Sequence, residues 1–328
     1  LSEYQWADII ELLCLVNPDG MVSDADVIDR IGEIKGIGEE IQPAPELEIL
    51  EPTPEGELGP LDAHLPEIGA GHEHDTLAQK FQDWVRHIEY RQNAFGSAYP
   101  FEVSEDRNTI ILRRITARRR IYVFFLIAAN LENLTEDRAK RKFRNHFEVV
   151  SKVALETYLP SPAMVYHFGS NPLNRGRYRG TTWSRIQKLS NDLNERLVCT
   201  EDDFFPTSPG DNGLDLVGWI PTNDYAGGRA IFFGQCGTGE DWEDKQHESG
   251  YDRWRKFIQM TAPPVNFAFI PYCFRSAGGK WFNSTRIYTV LIDRVRLVRL
   301  LIEDVDCAIG AMPLELVERA IKEKEPLV

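Results

Sequence analysis

The chain has 328 residues, enough for two domains or for one large core with an appendage, and its 42% hydrophobic content is ordinary for a soluble globular protein. Its net charge of −14 speaks, at face value, against a nucleic-acid ligand. The five scattered cysteines (Cys14, Cys199, Cys236, Cys273, Cys307) form no Cys-x-x-Cys pair, which argues against a zinc ribbon or a disulfide framework.

The longest apolar run, Ile121 to Asn130, covers about half a bilayer span, and no basic n-region precedes an apolar stretch at the N-terminus. We therefore expect no membrane segment, no signal peptide and a reducing, cytoplasmic setting. The charge is segregated. Residues 37–75 hold eleven acids, six prolines and no Lys or Arg; taking those eleven charges from −14 leaves −3 for the remaining 289 residues. Two basic runs stand out in that near-neutral body: Arg113, Arg114, Arg118, Arg119 and Arg120, then Arg138, Lys140, Arg141, Lys142 and Arg144. Local field rather than net charge governs phosphate binding, so these runs are either phosphate-gripping surfaces or simply solvated faces.

In chain order, residues 4–35 read as helical. Trp6, Ile9, Ile10, Leu13 and Val16 recur at helical spacing, and Ser23-Asp24-Ala25-Asp26 can start a second helix. The acidic, Pro-rich stretch 37–75 reads as a linker or extended arm, with enough leucine and isoleucine to dock on a surface. His72 and His74 within it, beside Glu73 and Asp75, form a weak chelating motif. A helix is expected from Thr76 to Asn93, with Leu77, Phe81, Trp84 and Ile88 on one face. A hairpin follows, pairing Phe101–Val103 with Thr109–Leu112 around Glu105–Asn108, and then a helix from Arg118 to Leu131 with an apolar face.

From residue 136 the pattern becomes regular. A long helix spans Asp137 to Tyr158, with Phe143, Phe147, Val150, Ala154 and Tyr158 as its buried stripe and Glu148 beside it. Strand Ala163–Phe168 comes next. Thr181-Thr182 can cap a helix reaching Leu197. Two apolar strands follow, after Asp211-Asn212-Gly213-Leu214-Asp215 and through Ala230 to Cys236. A helix from Asp241 to Met260, broken near Gly250, leads to strands Val265–Ile270 and Ile287–Leu291, a helix Arg294–Glu303, and a last helix from about Pro313. The class is α/β.

The two central strands carry the informative residues. Side by side, they would put Asp215 next to Gln235 at one end of a sheet, an arrangement that can hold Mg²⁺ against a phosphodiester. With these residues the chain resembles the PD-(D/E)XK nuclease superfamily, in particular its Mrr-like restriction endonuclease group. That group opens one strand with Asp-x-Gly-hydrophobic-Asp and ends the next with Gln-x-Lys. Asp211-Asn212-Gly213-Leu214-Asp215 matches the first motif, Gln235 begins the second, and Glu148 stands on the preceding helix where many members carry an acid. The resemblance covers residues 136–300. It departs from the family at Gly237, where the lysine is expected; the next lysine is Lys245. Asp-Asn-Gly is also ordinary turn chemistry. Cys236 raises a thiol-nucleophile reading, but no histidine completes a recognisable Cys/His arrangement.

The resemblance implies a restriction-endonuclease-like core, a central mixed sheet flanked by helices, with a mainly helical N-terminal module. The domains expected are a helical segment (1–36), an acidic arm (37–75), a helix and hairpin module (76–135) and the nuclease-like domain (136–328). It implies a Mg²⁺ (or Mn²⁺) site formed by Asp215, Gln235, Glu148 and the carbonyl of Cys236, with Lys245 as the catalytic cation. Arg113, Arg114, Arg118, Arg119, Arg120, Arg141 and Lys142 would grip DNA, and the acidic arm would cover that surface at rest. The activity implied is metal-dependent DNA cleavage in bacterial restriction or antiphage defence, with partner subunits or a homodimer. The alternatives are an inactive nuclease-fold subunit that binds DNA or scaffolds a complex, and an RNA nuclease.

Overall fold

The computed structural model describes residues 1–35, 70–133, 136–173, 176–204 and 212–322. Most of the acidic arm and Asp211 lie outside the described residues. The N-terminal part contains α1 (Glu3–Val16), β1 (Met21–Ser23), α2 (Asp24–Lys35), α3 (Ala70–Phe95), β2 (Phe101–Val103), β3 (Thr109–Leu112) and α4 (Ala117–Ala128). The hairpin β2–β3 stands at the residues expected. β1 adds a third strand to it, antiparallel to β3, which three residues between two helices do not announce. α3 begins at Ala70, within the final residues of the acidic stretch. The face that α1 buries holds Ala7, Asp8, Ile10, Glu11, Leu12, Cys14 and Leu15, while Trp6, Ile9, Leu13 and Val16 are only partly covered. The hydrophobic pattern misses this face because it contains two acids. α4 is buried all round from Ile121 to Ala128 rather than on one face, as befits a central helix with apolar residues on every side.

The second part runs α5 (Asp137–Tyr158), β4 (Met164–His167), α6 (Thr182–Leu193), β5 (Arg196–Leu197), β6 (Leu216–Trp219), β7 (Ile231–Cys236), α7 (Trp242–Lys245), α8 (Tyr251–Trp254), β8 (Ile258–Gln259), β9 (Val265–Phe269), β10 (Val290–Ile292), α9 (Arg294–Leu301), α10 (Val305–Gly310) and α11 (Leu314–Lys322). The chain is α/β. Its main sheet has five strands in the order β10-β9-β7-β6-β4; β4, β6 and β7 form an antiparallel meander, and β9 and β10 add parallel to β7.

Strand alternation divides the sheet's residues between two cores. Leu216, Phe232, Phe267 and Phe269 face α5, α4 and α9, whereas Val217, Trp219, Ile231 and Phe233 face Ile186, Leu189 and Leu193 of α6 and Trp254 of α8. No described helix is long and apolar enough to cross a membrane. None of the five cysteines is in a disulfide.

Four expectations need correction. Tyr158 ends the α5 stripe but is 50% exposed; only one side of its ring is covered, edge-on against Phe267 of β9. α6 stops at Leu193, where Asn194 takes the left-handed conformation (φ 54°) that closes a helix, and Arg196–Leu197 pair with β8 instead. The helix expected over 241–260 with a break near Gly250 is much shorter, two single turns, α7 and α8, though the break does stand at extended Gly250. α10 precedes the last helix and was not foreseen.

One core runs from Ala7 to Ala320. At its centre lies a balanced ionic cluster. Arg91 of α3 donates to Asp8 (2.7 Å) and Glu11 (2.8 Å) of α1, and Arg294 of α9 donates to both oxygens of Asp8 (2.8 Å each). Tyr99 and Tyr122 donate to Glu11 at 2.6 Å each. All six side chains are buried. Burial alone would lower Arg91, but Glu11 and Asp8 outweigh it and hold the guanidinium well above its usual range; burial, then Glu11, pushes both tyrosines up.

Removing one partner strands the others in a medium of low polarity. We expect Asp8→Ala to lower unfolding free energy by about 3–5 kcal/mol, read from urea denaturation midpoints. A loss under about 1 kcal/mol would mean that the cluster is solvated.

Candidate active site

The site grows from the register of β6 and β7. Leu216 pairs with Gly234, and the Asp215 N–H donates to the Gly234 carbonyl at 3.0 Å, so Asp215 lies opposite Gln235 at the strand ends. Asn212 and Gly213 both take left-handed backbone (φ 54° and 74°), and a side chain at 213 would also collide with Glu248, 2.3 Å from the ideal Cβ position. Glycine is therefore required twice over in the turn that delivers Asp215.

Asp215 is held firmly. It is 6% exposed; its Oδ2 accepts the Cys236 N–H at 2.7 Å, and its carbonyl accepts from Phe168 N at 2.8 Å. Gln235 is 8% exposed, and its Nε2 approaches Glu248 Oε2 at 3.5 Å, the far limit of a hydrogen bond. Its Oε1 is buried without a hydrogen-bond partner. Such an oxygen is costly unless a donor, water or cation meets it. By alternation, Asp215 and Gln235 project to the α6 side of the sheet, and Cys236 to the α5 side.

Glu148 and Lys245 are brought together elsewhere. They line a cavity of about 590 Å³ that also touches Arg144, Cys236, Thr238 and Asp241. Asp215 and Gln235 do not line it; Cys236, through its N–H to Asp215, is the link. Glu148 Oε2 accepts from Asn171 Nδ2 at 2.8 Å, and the same amide donates to the Asn145 carbonyl at 2.7 Å. Lys245 Nζ lies 3.0 Å from Asp241 Oδ1.

The absence of lysine at 237 has a packing reason. A Cβ on Gly237 would stand 2.8 Å from Cβ of Trp242, which is buried edge-on against Phe274. Any side chain there requires the tryptophan to move.

No protein-family model matches the chain, and no curated protein or solved structure matches it.

The donor set therefore has to be judged on its chemistry. Among the described residues, no group of three or more His, Cys, Asp and Glu side chains could hold a metal ion. What the strand ends offer is one fixed carboxylate, Asp215, beside the bare oxygen of Gln235, with Glu248 next to its amide. Those are hard oxygen ligands. They fit a Mg²⁺ ion that keeps several waters, which is how that ion is usually bound, better than a metal needing a closed ligand cage.

Five of the ten basic side chains in the two runs, Arg113, Arg120, Lys140, Lys142 and Arg144, pair with the chain's own acids. Arg113 pairs with Glu102 (2.9 Å), Arg120 with Glu318 and Lys142 with Glu315. Arg119 donates to the Arg114 carbonyl (2.6 Å) and Arg118 to Ser97 (3.3 Å). Arg114, Arg118 and Arg141 are exposed. Of these clusters, Arg144 is the member that reaches the cavity.

The sequence reading missed Asn171, Glu248 and Trp242. Asn171 reads as a loop residue before Pro172, and Glu248 as a surface acid; only the folded chain brings them to the strand ends.

His167 ends β4 beside this region. Burial first, then the positive charge of Lys152, lowers it to about 4; burial likewise lowers His87 and His146. All three are therefore neutral in the fold at pH 7. The unfolded chain, with histidine near 6.5, binds more protons below that pH. Stability is thus complete above about pH 6.5 and is lost as pH falls toward 4, by up to about 1.4 kcal/mol per pH unit for each proton taken up. Urea midpoints measured against pH should follow this curve, and His167→Gln should flatten it; an unchanged slope in that variant would contradict the assignment.

Proposed function

We propose that the chain is a Mg²⁺-dependent nuclease of the PD-(D/E)XK type, with DNA as its substrate. The observation that carries this reading is the pairing of Asp215 and Gln235 at adjoining strand ends, with one amide oxygen buried and bare. The sheet order adds support: β4, β6 and β7 pair antiparallel, with α6 and β5 inserted after β4, and β9 adds parallel to β7 after the short helices, an arrangement compatible with a restriction-endonuclease-like core. A role in restriction or antiphage defence, and an assembly with partner subunits, follow from the resemblance alone.

In this reading Asp215 and Gln235 Oε1 hold the cation, with the Cys236 carbonyl as a further neutral oxygen. When bound, the ion polarises the scissile phosphate and acidifies the attacking water. Cys236 N–H keeps the Asp215 carboxylate aimed. Glu148, fixed by Asn171, orders water in the cavity beyond Cys236. Lys245 would exchange Asp241 for the charge developing on the phosphate. A neutral Gln in place of Glu makes the site one charge poorer, so metal binding is weak.

A second reading is a nuclease-fold subunit that binds DNA without cutting it. One observation favours it: Lys245 is committed to Asp241, and Trp242 excludes a lysine at 237.

Nicking of supercoiled plasmid with Mg²⁺ or Mn²⁺ separates the two. The nuclease reading expects cleavage by the wild type, a loss of about 100-fold or more in Asp215→Ala, and a loss of similar order in Lys245→Ala. Loss in Asp215→Ala alone keeps the nuclease and removes Lys245 from its chemistry. No cleavage by the wild type, with DNA still bound, supports the second reading.

A further inference from the structure

The metal reading leaves the strand ends one charge short, because Gln235 is neutral where an acid would hold a cation more tightly. The segment after β7 brings a second carboxylate to the same corner. Glu248 Oε2 lies 3.5 Å from Gln235 Nε2. The same oxygen would stand 2.7 Å from a Cβ on Gly213, so the glutamate side chain crosses the turn that delivers Asp215. Two other acids of this segment are paired with cations: Asp241 with Lys245 (3.0 Å) and Glu243 with Arg286 (3.1 Å). Glu248 forms no ion pair among the described residues, and a neutral amide at the far limit of a hydrogen bond is a poor partner for a carboxylate.

The backbone around Glu248 is pinned. The Glu248 carbonyl accepts from Trp254 Nε1 at 3.2 Å, and Trp254 is fully buried on the sheet face to which Asp215 and Gln235 project. Ser249 donates to Asn266 Oδ1 at 2.6 Å, and Asn266 Nδ2 donates to the Gln246 carbonyl at 2.9 Å. Ser249 and Gln246 are both buried. Asn266 stands on β9 opposite Phe233, two residues before Gln235 on β7. The residues flanking Glu248 are thus tied to the strand beside β7, which fixes where its side chain starts.

The corner also holds a polar atom that the fold leaves bare. Gln235 is 8% exposed, and its Oε1 has no hydrogen-bond partner. That oxygen belongs to the amide whose nitrogen faces Glu248, so it sits at the same corner. Two carboxylates and a bare amide oxygen are hard donors, and they suit a divalent cation that keeps water in its remaining positions. We infer that Glu248 is a third ligand of the cation site at Asp215 and Gln235, supplying the negative charge that Gln235 lacks. The inference rests on the Mg²⁺ reading of these strand ends. The ligands then come from the start of β6, the end of β7 and the segment after it, and glycine at 213 is what lets the third approach.

The test is Mn²⁺ titration of the metal-free full chain without nucleic acid, read from the enhancement of water-proton relaxation. Glu248→Gln keeps the shape of the side chain and removes its charge, with circular dichroism as the check on the fold. Its expected effect is Mn²⁺ affinity weaker by at least about 10-fold, the least that losing even an outer partner of a ligand costs a metal site. Glu248→Asp, shorter but charged, should bind more tightly than Glu248→Gln; the reverse order would overturn the role of the charge. Asp244→Asn, which neutralises an exposed acid of α7, is the control and should bind as the wild type does. Wild-type affinity in Glu248→Gln, with binding lost in Asp215→Ala, would overturn the third ligand and keep the site. Equal weakening in Glu248→Gln and Asp244→Asn would show a general charge effect and overturn it. No Mn²⁺ binding by the wild type would overturn it together with the cation reading of the strand ends. Binding that depends on Glu248, with no plasmid cleavage under Mg²⁺ or Mn²⁺, would keep the ligand and reject the nuclease.

Discussion

The buried pairing of Asp8 and Glu11 with Arg91 and Arg294 is the constraint on which the rest of the structure depends. Four charges in a water-free core are tolerable only when each meets its partner, because the desolvation of an unpaired ion exceeds anything that nearby packing returns. Asp8 and Arg294 are 286 residues apart in sequence, and Arg91 stands on a third helix. The cluster therefore makes α1, α3 and α9 one unit, and α4 joins it through Tyr122. α9 directly follows β10, so the N-terminal helices are tied to the edge of the sheet that carries the candidate site. An apolar core of the same volume would hold the helices together with less demand on their relative placement.

At the other end of the sheet, the geometry is set by close approach rather than by charge. Gly213 is needed for Glu248 to approach, Gly237 for Trp242, and Gly234 for Phe269, whose ring would lie 3.1 Å from an added Cβ. These contacts draw Glu248 and Lys245, both from the segment after β7, toward the strand ends from different sides. The outcome is a divided constellation. Asp215, Gln235 and Glu248 gather at the strand ends, and Glu148 and Lys245 share the cavity beyond Cys236. Asn171, on the loop after β4, holds Glu148.

Local patterns were legible in the sequence wherever burial follows apolar periodicity. The hairpin at 101–112, the helix from Asp137 to Tyr158 and the adjacency of Asp215 and Gln235 all came from spacing and turn residues. What was not legible has physical causes. The buried face of α1 contains two acids, which look like solvent-facing residues until Arg91 and Arg294 arrive from far along the chain. In the segment 241–260 the break at Gly250 was legible, but the shortening of the flanking helix to two single turns, with Trp242 and Trp254 in different apolar clusters, was not. The basic runs resembled a nucleic-acid surface because their partners, Glu102, Glu315 and Glu318, are remote in sequence or sit on other elements. Glu248 could not be picked out because its approach to Gln235 depends on the turn at Gly213.

The central claim is that Asp215 and Gln235 hold a divalent cation. Titration of metal-free protein with Mn²⁺, followed by electron paramagnetic resonance in the absence of nucleic acid, tests it most directly. The account predicts one weak site per chain in the wild type, lost in Asp215→Ala and tightened in Gln235→Glu. Equal Mn²⁺ binding by the wild type and Asp215→Ala, or none by the wild type, would contradict it.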